Sequence, residues 1–485
     1  MIALGELVLV QRLTSTGVYG LDAVLDGGFP EGSLIVLAGH PGTGKTVFSA
    51  QFLYRGAVDH GESGLYVSFC EGREAFIENM RGFGFDFEGL ERRGLFRFLD
   101  MVTVKEQAVP SLIEMVVGEA EGFHAKRLVL DSFSALAQAF KEPYDVRIVV
   151  HTVLSKLIRS MGCTTIMIEE MPYGSSRIGF GMEEFVADGV IWLKTSELGG
   201  YRLRELEVIK LRGAKLKEPR LIFTLEGGFE AFAPIQFKLP EKPQRFKPIP
   251  DPPDKYSTGS KTLDEALGGG LPKGSLMMLE IDEKITMQNY HLLLSPLISN
   301  FGCQGRGVFI VPSSGVDFGK IRSQAKIYGA TEDQWKENMK IVMPERLLSI
   351  ESSPNVITVK GEDWAEDLTM AVDAGRKMMA KTSQPVLWVI GADTLISLYG
   401  EKECEEILNL AATLARIENA AVIVIVKAGY RDLAVRLSAV ADVYLRVTRK
   451  RGTPLIYGVK PRTGLYAVKL DTSMGYPLPE LKPIL

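Results

Sequence analysis

The chain has 485 residues, of which 46% are hydrophobic and 24% are charged. This balance is ordinary for a folded protein with a buried core, and the length predicts about two to four domains. The 56 basic and 60 acidic residues leave a net charge of −4, which excludes a globally basic nucleic-acid coat but not a local basic groove.

Membrane and secretion signals do not stand out in the sequence. The longest purely apolar run, Ala420–Val426, has seven residues, whereas a membrane-spanning helix needs roughly 20. The first residues show neither a basic start nor a cleavage pattern for secretion. The four cysteines lie far apart without a CxxC pair, which disfavours a zinc site or a disulfide framework. We therefore expect a cytoplasmic protein with no membrane partner.

A stretch near the N-terminus is repeated 242 residues later. Thr16–Leu34 reads TGVYGLDAVLDGGFPEGSL and Thr258–Leu276 reads TGSKTLDEALGGGLPKGSL, with 11 of 19 positions identical. A period this long does not fit a solenoid and indicates two copies of one domain. Between the copies, Ala233–Lys255 holds seven of the chain's 24 prolines, which predicts a semi-rigid spacer. We therefore predict a first domain (1–235), a proline-rich linker (236–255) and a second domain (256–485).

Short apolar runs alternate with helical patterns in the first copy. The predicted strands are Leu34–Ala38, Gly64–Phe69, Leu128–Leu130 and Thr165–Ile168. The predicted helices between them are Thr46–Ala57, Arg73–Phe83, Ser111–Ala120 and Val146–Met161. This alternation predicts an α/β fold with a mostly parallel sheet covered on both faces. Later segments predict an antiparallel series at one edge of the sheet: Val190–Lys194, Arg204–Leu211, Leu221–Leu225 and Gly228–Ala233.

The segment Gly39–Thr46 reads GHPGTGKT and fits the phosphate-loop pattern G-x-x-x-x-G-K-[ST] in full. It lies between a predicted strand and a predicted helix, the context that supports such a loop. Glycines let backbone N–H groups turn towards phosphates, Lys45 supplies positive charge, and the Thr46 hydroxyl suits Mg²⁺. The predicted phosphate-binding residues are Gly39, His40, Pro41, Gly42, Thr43, Gly44, Lys45 and Thr46.

A carboxylate at the end of a buried strand would complete the magnesium site. Asp131 follows three aliphatic residues, Leu128–Leu130, at the end of a predicted strand. Judged alone, this residue also fits a turn or a helix cap. Beside a phosphate loop, it is predicted to organise Mg²⁺ together with Thr46. ATP and Mg²⁺ are therefore the expected ligands.

Two later segments narrow this interpretation to a family. Gly181–Leu193 reads GMEEFVADGVIWL and Leu206–Gly213 reads LEVIKLRG. With the phosphate loop, Asp131 and Thr16–Leu34, they resemble the KaiC-like branch of the RecA superfamily of ATPases. The resemblance covers residues 10–235 and, more weakly, 256–470. It implies two tandem RecA-like domains, each a mostly parallel sheet flanked by helices with an antiparallel C-terminal strand extension. It also implies ATP bound between neighbouring subunits of a homo-oligomeric ring or filament.

The resemblance implies a catalytic carboxylate just after the second strand, where the family has adjacent glutamates. Here Cys70 occupies the first position and Glu71 the second. A carboxylate there orients and deprotonates the attacking water, a contribution of about 10²–10⁴-fold. Because cysteine replaces a carboxylate poorly, we expect slow hydrolysis with Glu71 as the base. The alternative is a surface glutamate at the start of the next helix.

The resemblance also assigns a role to Lys210 and Arg212. They alternate with Leu211 on a predicted strand, so we expect both side chains on the same side. In the family, this Lys-x-Arg pair reaches the adjacent subunit's nucleotide and stabilises γ-phosphate charge, as an arginine finger does. The alternative is the exposed face of an edge strand. Glu169 and Glu170 either sense the nucleotide or cap a loop, and the sequence does not decide between these roles.

The second copy lacks the nucleotide-binding residues. At the same offset, the phosphate loop falls on Ile281–Gln288 (IDEKITMQ), which has no glycine and two acidic residues. The strand-end aspartate falls near Gly391, two residues before Asp393, and the glutamate position falls on Pro312–Ser314. These losses predict that ATP binds the first copy alone. The second copy would then serve as a scaffold, a regulatory domain or a binding surface for a protein partner.

Three classes of function fit these features. The favoured class is a slow regulatory ATPase whose assembly or shape is set by ATP. A DNA-handling motor of RecA type is disfavoured by the acidic first copy, although one basic cluster keeps nucleic acid open: Arg446, Arg449, Lys450 and Arg451. A non-hydrolysing ATP-binding adaptor is suggested by Cys70.

Overall fold

A computed structural model describes residues 12–102, 109–137, 160–174, 187–345 and 353–485. The chain divides into two compact units, one of residues 1–234 with 484–485 and one of residues 235–483. Most of the predicted helix Val146–Met161 and the GMEEFV part of the Gly181–Leu193 motif lie outside the described residues. Within the described ranges, no helix is both long and apolar enough to cross a membrane.

The first unit contains eleven strands and six helices within its described residues. The strands are β1 (Leu13–Thr14), β2 (Phe29–Pro30), β3 (Leu34–Gly39), β4 (Gly64–Ser68), β5 (Phe96–Asp100), β6 (Arg127–Asp131), β7 (Thr164–Glu170), β8 (Gly189–Leu198), β9 (Tyr201–Leu211), β10 (Arg220–Thr224) and β11 (Glu230–Phe232). The helices are α1 (Tyr19–Val24), α2 (Lys45–His60), α3 (Arg73–Arg81), α4 (Phe87–Arg92), α5 (Val109–Gly122) and α6 (Phe133–Ala137).

The main sheet of the first unit has the strand order β11-β10-β9-β8-β3-β7-β6-β4-β5. Strands β8, β3, β7, β6, β4 and β5 run parallel, whereas β9, β10 and β11 continue the sheet in antiparallel pairs. The predicted α/β class, with its antiparallel C-terminal extension, is confirmed. Because β3, β7, β6 and β4 lie side by side, their carboxyl ends meet at one edge of the sheet.

The central strands are buried because helices cover both faces of the sheet, as parallel sheets require. On one face, Phe48 and Phe52 of α2 join Phe76 of α3 in an aromatic core. On the other face, Ile113 and Val116 of α5 pack against the sheet. Strand β5 was not predicted, since its FRFLD sequence is only partly buried and lacks a continuous apolar run.

The second unit repeats this architecture. Its strands are β12 (Lys255–Tyr256), β13 (Leu271–Pro272), β14 (Ser275–Ile281), β15 (Val308–Val311), β16 (Met339–Pro344), β17 (Val356–Val359), β18 (Leu387–Gly391), β19 (Ala421–Lys427), β20 (Val443–Lys450), β21 (Thr453–Lys460), β22 (Leu465–Asp471) and β23 (Leu478–Pro483). Its helices are α7 (Lys261–Ala266), α8 (Met287–Cys303), α9 (Phe318–Ile327), α10 (Glu332–Asn338), α11 (Trp364–Thr382), α12 (Ala392–Tyr399), α13 (Glu401–Glu418) and α14 (Arg431–Leu437).

The sheet of the second unit has the order β17-β16-β15-β18-β19-β14-β20-β21-β22-β23. Strands β14 to β20 pair in parallel, and β21, β22 and β23 are antiparallel. Helices cover both faces, with one core around α8 and another around α13. In this sheet β14 takes the central place that β3 takes in the first unit.

The repeated sequence motif has the same structural role in both units. Thr16 N donates to the Asp22 carboxylate at 2.8 Å, and Thr258 N donates to Asp264 at 2.7 Å. Between each such pair lies a glycine, Gly17 or Gly259, with a φ of 75°. This left-handed value favours glycine. The identical residues therefore preserve one turn that leads into a short helix.

The proline-rich segment 236–255 belongs to the second compact unit. Phe246 is buried there, with its ring near those of Tyr328 and Tyr476. Its backbone N–H donates to the Tyr328 carbonyl at 3.0 Å. Much of the segment therefore packs on the second unit, and the boundaries at residues 235 and 256 stay a prediction.

Candidate active site

The predicted phosphate loop connects the carboxyl end of β3 to the first residue of α2. Gly42 and Gly44 have φ values of 74° and 100°, where a side chain would be strained. A Cβ on Gly44 would also come within 3.0 Å of Leu225. The glycines thus allow the backbone to curl around the helix start. The first N–H groups of α2 have no acceptor within the helix and, with the helix dipole, favour an anion.

Lys45 lies inside this loop. Its Nζ donates to the carbonyls of Gly39 and His40 at 3.0 and 3.1 Å. Burial lowers the pKa of Lys45, while the charges of Glu170 and Asp131 act in the opposite direction. The ammonium group is therefore held beside the helix start, where phosphate charge would be bound.

The predicted magnesium residues meet in the structure. Thr46 Oγ1 donates to Asp131 Oδ2 at 3.1 Å, and the Tyr66 hydroxyl donates to the same oxygen. Asp131 ends β6, so its carboxylate lies at the edge where the phosphate loop begins. A hydroxyl and a carboxylate are the oxygen ligands that Mg²⁺ prefers. These two side chains therefore fit a magnesium ion shared with nucleotide phosphates.

Burial raises the pKa of Asp131 above its ordinary value of 3.8, although the hydrogen bonds from Tyr66 and Thr46 act to lower this pKa. The folded protein therefore holds a proton on Asp131 more readily than the unfolded chain. The ionised carboxylate consequently destabilises the ligand-free fold at neutral pH, and this penalty disappears as pH falls towards 4. A difference of one in pKa corresponds to about 1.4 kcal/mol.

We expect Asp131→Asn to raise the melting temperature of the ligand-free protein at pH 7, because the amide oxygen still accepts from Thr46 and Tyr66 without a charge. Thermal unfolding of both proteins between pH 5 and 8 checks this, and the advantage of the variant should shrink at the acidic end. A variant that melts below the wild type at pH 7 would contradict the assignment of a desolvated, ionised Asp131.

Glu71 and Cys70 follow β4 at the same edge of the sheet. The Glu71 N–H donates to Ser68 Oγ at 3.0 Å, and its half-buried carboxylate accepts a 3.4 Å hydrogen bond from Asn79. Burial, and then the charge of Asp131, raise the pKa of Glu71, which makes it a stronger proton acceptor. Cys70 is exposed, with Sγ 3.5 Å from Ser132 Oγ.

Lys210 and Arg212 lie at the other end of β3. Lys210 Nζ donates to the Ala187 carbonyl at 2.8 Å, and Arg212 pairs with Asp188 at 3.5 Å. Asp188 in turn accepts from the N–H of Leu34, where β3 begins. Since β3 is about 16 Å long, the structure does not bring this pair to the phosphate loop within one chain.

The expectation that Lys210 and Arg212 share one strand face stays a prediction. Strand β9 ends at Leu211, so Arg212 lies in the turn that follows. A register shift opposite Val190 also interrupts the regular pairing near Lys210. The Arg212 N–H donates to the Asp188 carbonyl at 2.8 Å, next to the Gly189–Leu211 pair of β8 and β9.

Sequence reasoning missed three residues that hold the site in place. Tyr66 bonds to Asp131 from a fully buried position on β4. Arg204 Nη1 donates to the Gly42 carbonyl at 3.0 Å, and the Tyr173 hydroxyl donates to the Pro41 carbonyl at 3.3 Å. Tyr66 carried a usable signal, since a buried tyrosine normally needs a hydrogen-bond partner. The partners of Arg204 and Tyr173 depend on tertiary structure.

Glu169 and Glu170 differ in their surroundings. Glu169 is buried and accepts a 2.6 Å hydrogen bond from the Ser134 hydroxyl. Glu170 is exposed, lies opposite Gly39 in the sheet, and its N–H donates to the same hydroxyl at 2.7 Å. Ser134 therefore links both glutamates to the start of α6, next to Asp131.

At the corresponding edge of the sheet in the second unit, the side chains bond to one another. Asn289 Oδ1 accepts from the N–H and hydroxyl of Thr286 at 3.3 and 2.9 Å, at the start of α8. Lys427 lies opposite Ile281, where Glu170 lies opposite Gly39 in the first unit. Lys427 bonds to Asp393 at 2.8 Å. This edge therefore differs from the phosphate site in both loop and charge.

Comparison with known proteins places this site in a family. A family model described as KaiC ATPase matches residues 14–229. A UPF0273 protein from Methanocaldococcus jannaschii is 35% identical over 232 residues, which are 44% of this chain and 95% of that protein. A circadian clock oscillator protein KaiC from Thermostichus vulcanus is 32% identical over 275 residues, 54% of this chain and 51% of that protein.

The chain thus spans about half the length of the clock proteins it matches. Among solved structures, a KaiC-like protein from the archaeon Pyrococcus horikoshii is 34% identical, with a TM-score of 0.42, and the match covers 46% of this chain and 99% of that one. The match to nearly the whole archaeal UPF0273 protein and the family model agree with the phosphate loop and Asp131. The chain therefore belongs to the KaiC-like family of RecA-superfamily ATPases.

Proposed function

We propose that the chain is a slow, magnesium-dependent ATPase that binds ATP in its first unit only and acts as a regulator. The observation that carries this proposal is the 3.1 Å hydrogen bond between Thr46 and Asp131 beside the buried Lys45. A glycine loop, a lysine and a hydroxyl–carboxylate pair together supply what a magnesium-bound triphosphate needs.

Each residue then has a distinct task. Backbone N–H groups of Gly42–Lys45 and the Lys45 ammonium group hold the phosphates, and Thr46 with Asp131 holds Mg²⁺. Glu71 orients the attacking water and accepts its proton, aided by its raised pKa. Because Cys70 replaces a family glutamate, proton transfer rests on one carboxylate and turnover is slow.

The regulatory part of the proposal rests on the contrast between the two units. The second unit keeps a complete core around α8 and α13 but has no glycine in the loop 282–286. It would transmit the nucleotide state of a homo-oligomer, a ring or a filament, to a protein partner. Lys210 and Arg212, far from the phosphate loop of their own chain, would complete the site of a neighbouring subunit.

We expect Glu71→Gln to lower ATP hydrolysis by about 10- to 100-fold, since the amide cannot accept the proton from water. Cys70→Glu should raise hydrolysis by restoring a second carboxylate. Phosphate release at saturating Mg·ATP measures both rates. The matched control is Glu74→Gln, which changes an exposed glutamate in the first turn of α3. An unchanged rate in Glu71→Gln would show that the base lies elsewhere.

A non-hydrolysing adaptor is the second candidate, and the exposed Cys70 at the expected glutamate position favours it. The two functions separate in one comparison. An adaptor binds ATP but releases phosphate no faster than Lys45→Ala, whereas a slow ATPase exceeds that background.

A DNA-handling motor has less support. Arg446 pairs with Glu280 at 2.7 Å, and Arg449 Nε donates to the Gly452 carbonyl at 3.2 Å. The basic cluster lies in the β20–β21 hairpin, where these two arginines bond within the protein. Fluorescence anisotropy with single-stranded DNA over a salt series should show no salt-dependent binding.

A further inference from the structure

A cavity of about 80 Å³ lies in the second unit between α8, α9, α10 and the sheet. Its walls are mostly apolar and include Leu294 of α8, Trp335 of α10 and Ile425 of β19. The described residues that line it include no Asp, Glu, Lys or Arg. Burial lowers the pKa of His291, also on the wall, to about 4, so its ring is uncharged at neutral pH. The cavity therefore excludes charged ligands such as nucleotide phosphates.

Ser313 is one of several polar residues on this wall, beside Tyr290, Ser295 and Gln324. Its side chain is 4% exposed, and its Oγ has no hydrogen-bond partner among the described residues. Buried hydroxyl groups are normally bonded, so this oxygen is suited to a ligand. The following residue is fixed, since the Ser314 N–H donates to Asp393 at 3.0 Å and its carbonyl accepts from Lys427 at 2.8 Å.

We propose that this cavity binds a small uncharged molecule that is apolar over most of its surface and carries one hydroxyl group for Ser313. An engineered cavity of ~150 Å³ in another protein binds benzene. A volume of about 80 Å³ therefore suits a ligand of roughly three to four non-hydrogen atoms, such as a short alcohol. This site lies in the unit that lacks the phosphate loop, and the inference is independent of the proposed ATPase function.

The occupant would act on the loop that follows β15. That loop corresponds to Cys70–Glu71 of the first unit. Ser313 lies on the cavity wall, and the next residue, Ser314, bonds to both Asp393 and Lys427. A ligand bonded to Ser313 would supply the missing hydrogen bond and the packing contacts that an empty space lacks. The second unit would thus have a ligand of its own.

Saturation-transfer NMR on the full chain, with 2-propanol and propane as probes, tests this proposal. We expect both probes to bind, and Ser313→Ala to weaken 2-propanol at least fivefold while leaving propane unchanged. Ala325→Phe and Ala330→Leu each place extra bulk in the cavity and should remove both signals. The matched control is Ala411→Phe, in a separate cavity beside α13, which should change neither.

Thermal unfolding shows which variants remain folded. If one of the two cavity-filling variants, Ala325→Phe or Ala330→Leu, does not fold, the other still tests the proposal. Absence of 2-propanol binding to the wild type overturns the proposal. So does a folded filling variant that binds both probes as the wild type does. Equal weakening of both probes by Ser313→Ala would also overturn the hydrogen-bonding role of Ser313.

Discussion

Lys45→Ala should abolish ATP binding by the whole chain, although the chain contains two copies of the fold. Lys45 is the charged side chain inside the loop, and its Nζ already sits within 3.1 Å of two loop carbonyls. Charge-assisted hydrogen bonds contribute roughly 1.5–3 kcal/mol each, and 1.4 kcal/mol is a tenfold change in affinity. The loss of two such bonds to phosphate weakens binding by at least about 100-fold.

Titration calorimetry with a non-hydrolysable ATP analogue and Mg²⁺ measures this effect. The wild type should bind about one analogue per chain, and Lys45→Ala none in the accessible concentration range. Lys284→Ala is the matched control, because Lys284 is the exposed lysine in the corresponding loop of the second unit. Two comparable sites in the wild type, or binding that survives in Lys45→Ala, would show that the second unit also binds ATP.

The second prediction with a large effect is that a neighbouring subunit completes the active site. Lys210 and Arg212 lie near the start of β3, and the phosphate loop lies at its end. Within one chain they are too far away to touch a bound γ-phosphate. If a neighbour supplies them, hydrolysis per chain should rise with protein concentration as the oligomer forms. A rate per chain that stays constant across the assembly range would contradict this.

A mixing experiment makes the same test without a change in concentration. Lys45→Ala chains keep the Lys210–Arg212 pair but lack ATP, whereas Arg212→Ala chains bind ATP but lack the arginine. Each variant alone should be nearly inactive, and particles assembled from both should recover activity at interfaces that join an intact loop to an intact arginine. Arg220→Ala, which removes an exposed arginine paired with Glu207, is the control for general charge loss. Mixed particles as inactive as their components would favour a self-contained site.

Much of the fold followed from local patterns. Strands β3, β4, β6 and β7 each contain a short buried apolar run, and the glycine loop joins a strand to a helix within a few residues. Strand β5 escaped prediction because an edge strand is only half buried. A half-buried edge strand lacks the continuous apolar run that predicts a buried strand.

The candidate site likewise contains residues that the local sequence predicts and residues that depend on tertiary structure. The Gly39–Thr46 loop is contiguous, so its residue types alone predicted its shape. Asp131 was predicted from its position after the apolar run Leu128–Leu130, because a phosphate loop needs a carboxylate for Mg²⁺. The roles of Tyr66 and Arg204 depend on contacts across the sheet, and the distance of Arg212 from the loop depends on strand order. Neither these contacts nor this distance can be predicted from the spacing of residues along the chain.

The capped start of α8 has a consequence for how the two units diverged. Asn289 already accepts from the N–H and hydroxyl of Thr286, and Lys427 is held by Asp393. Restoring glycines to residues 282–286 would leave both sets of contacts in place, so we expect glycines alone not to restore ATP binding to the second unit. If ATP binds the first unit alone, as proposed, an oligomer of such chains would carry as many nucleotides as it has chains.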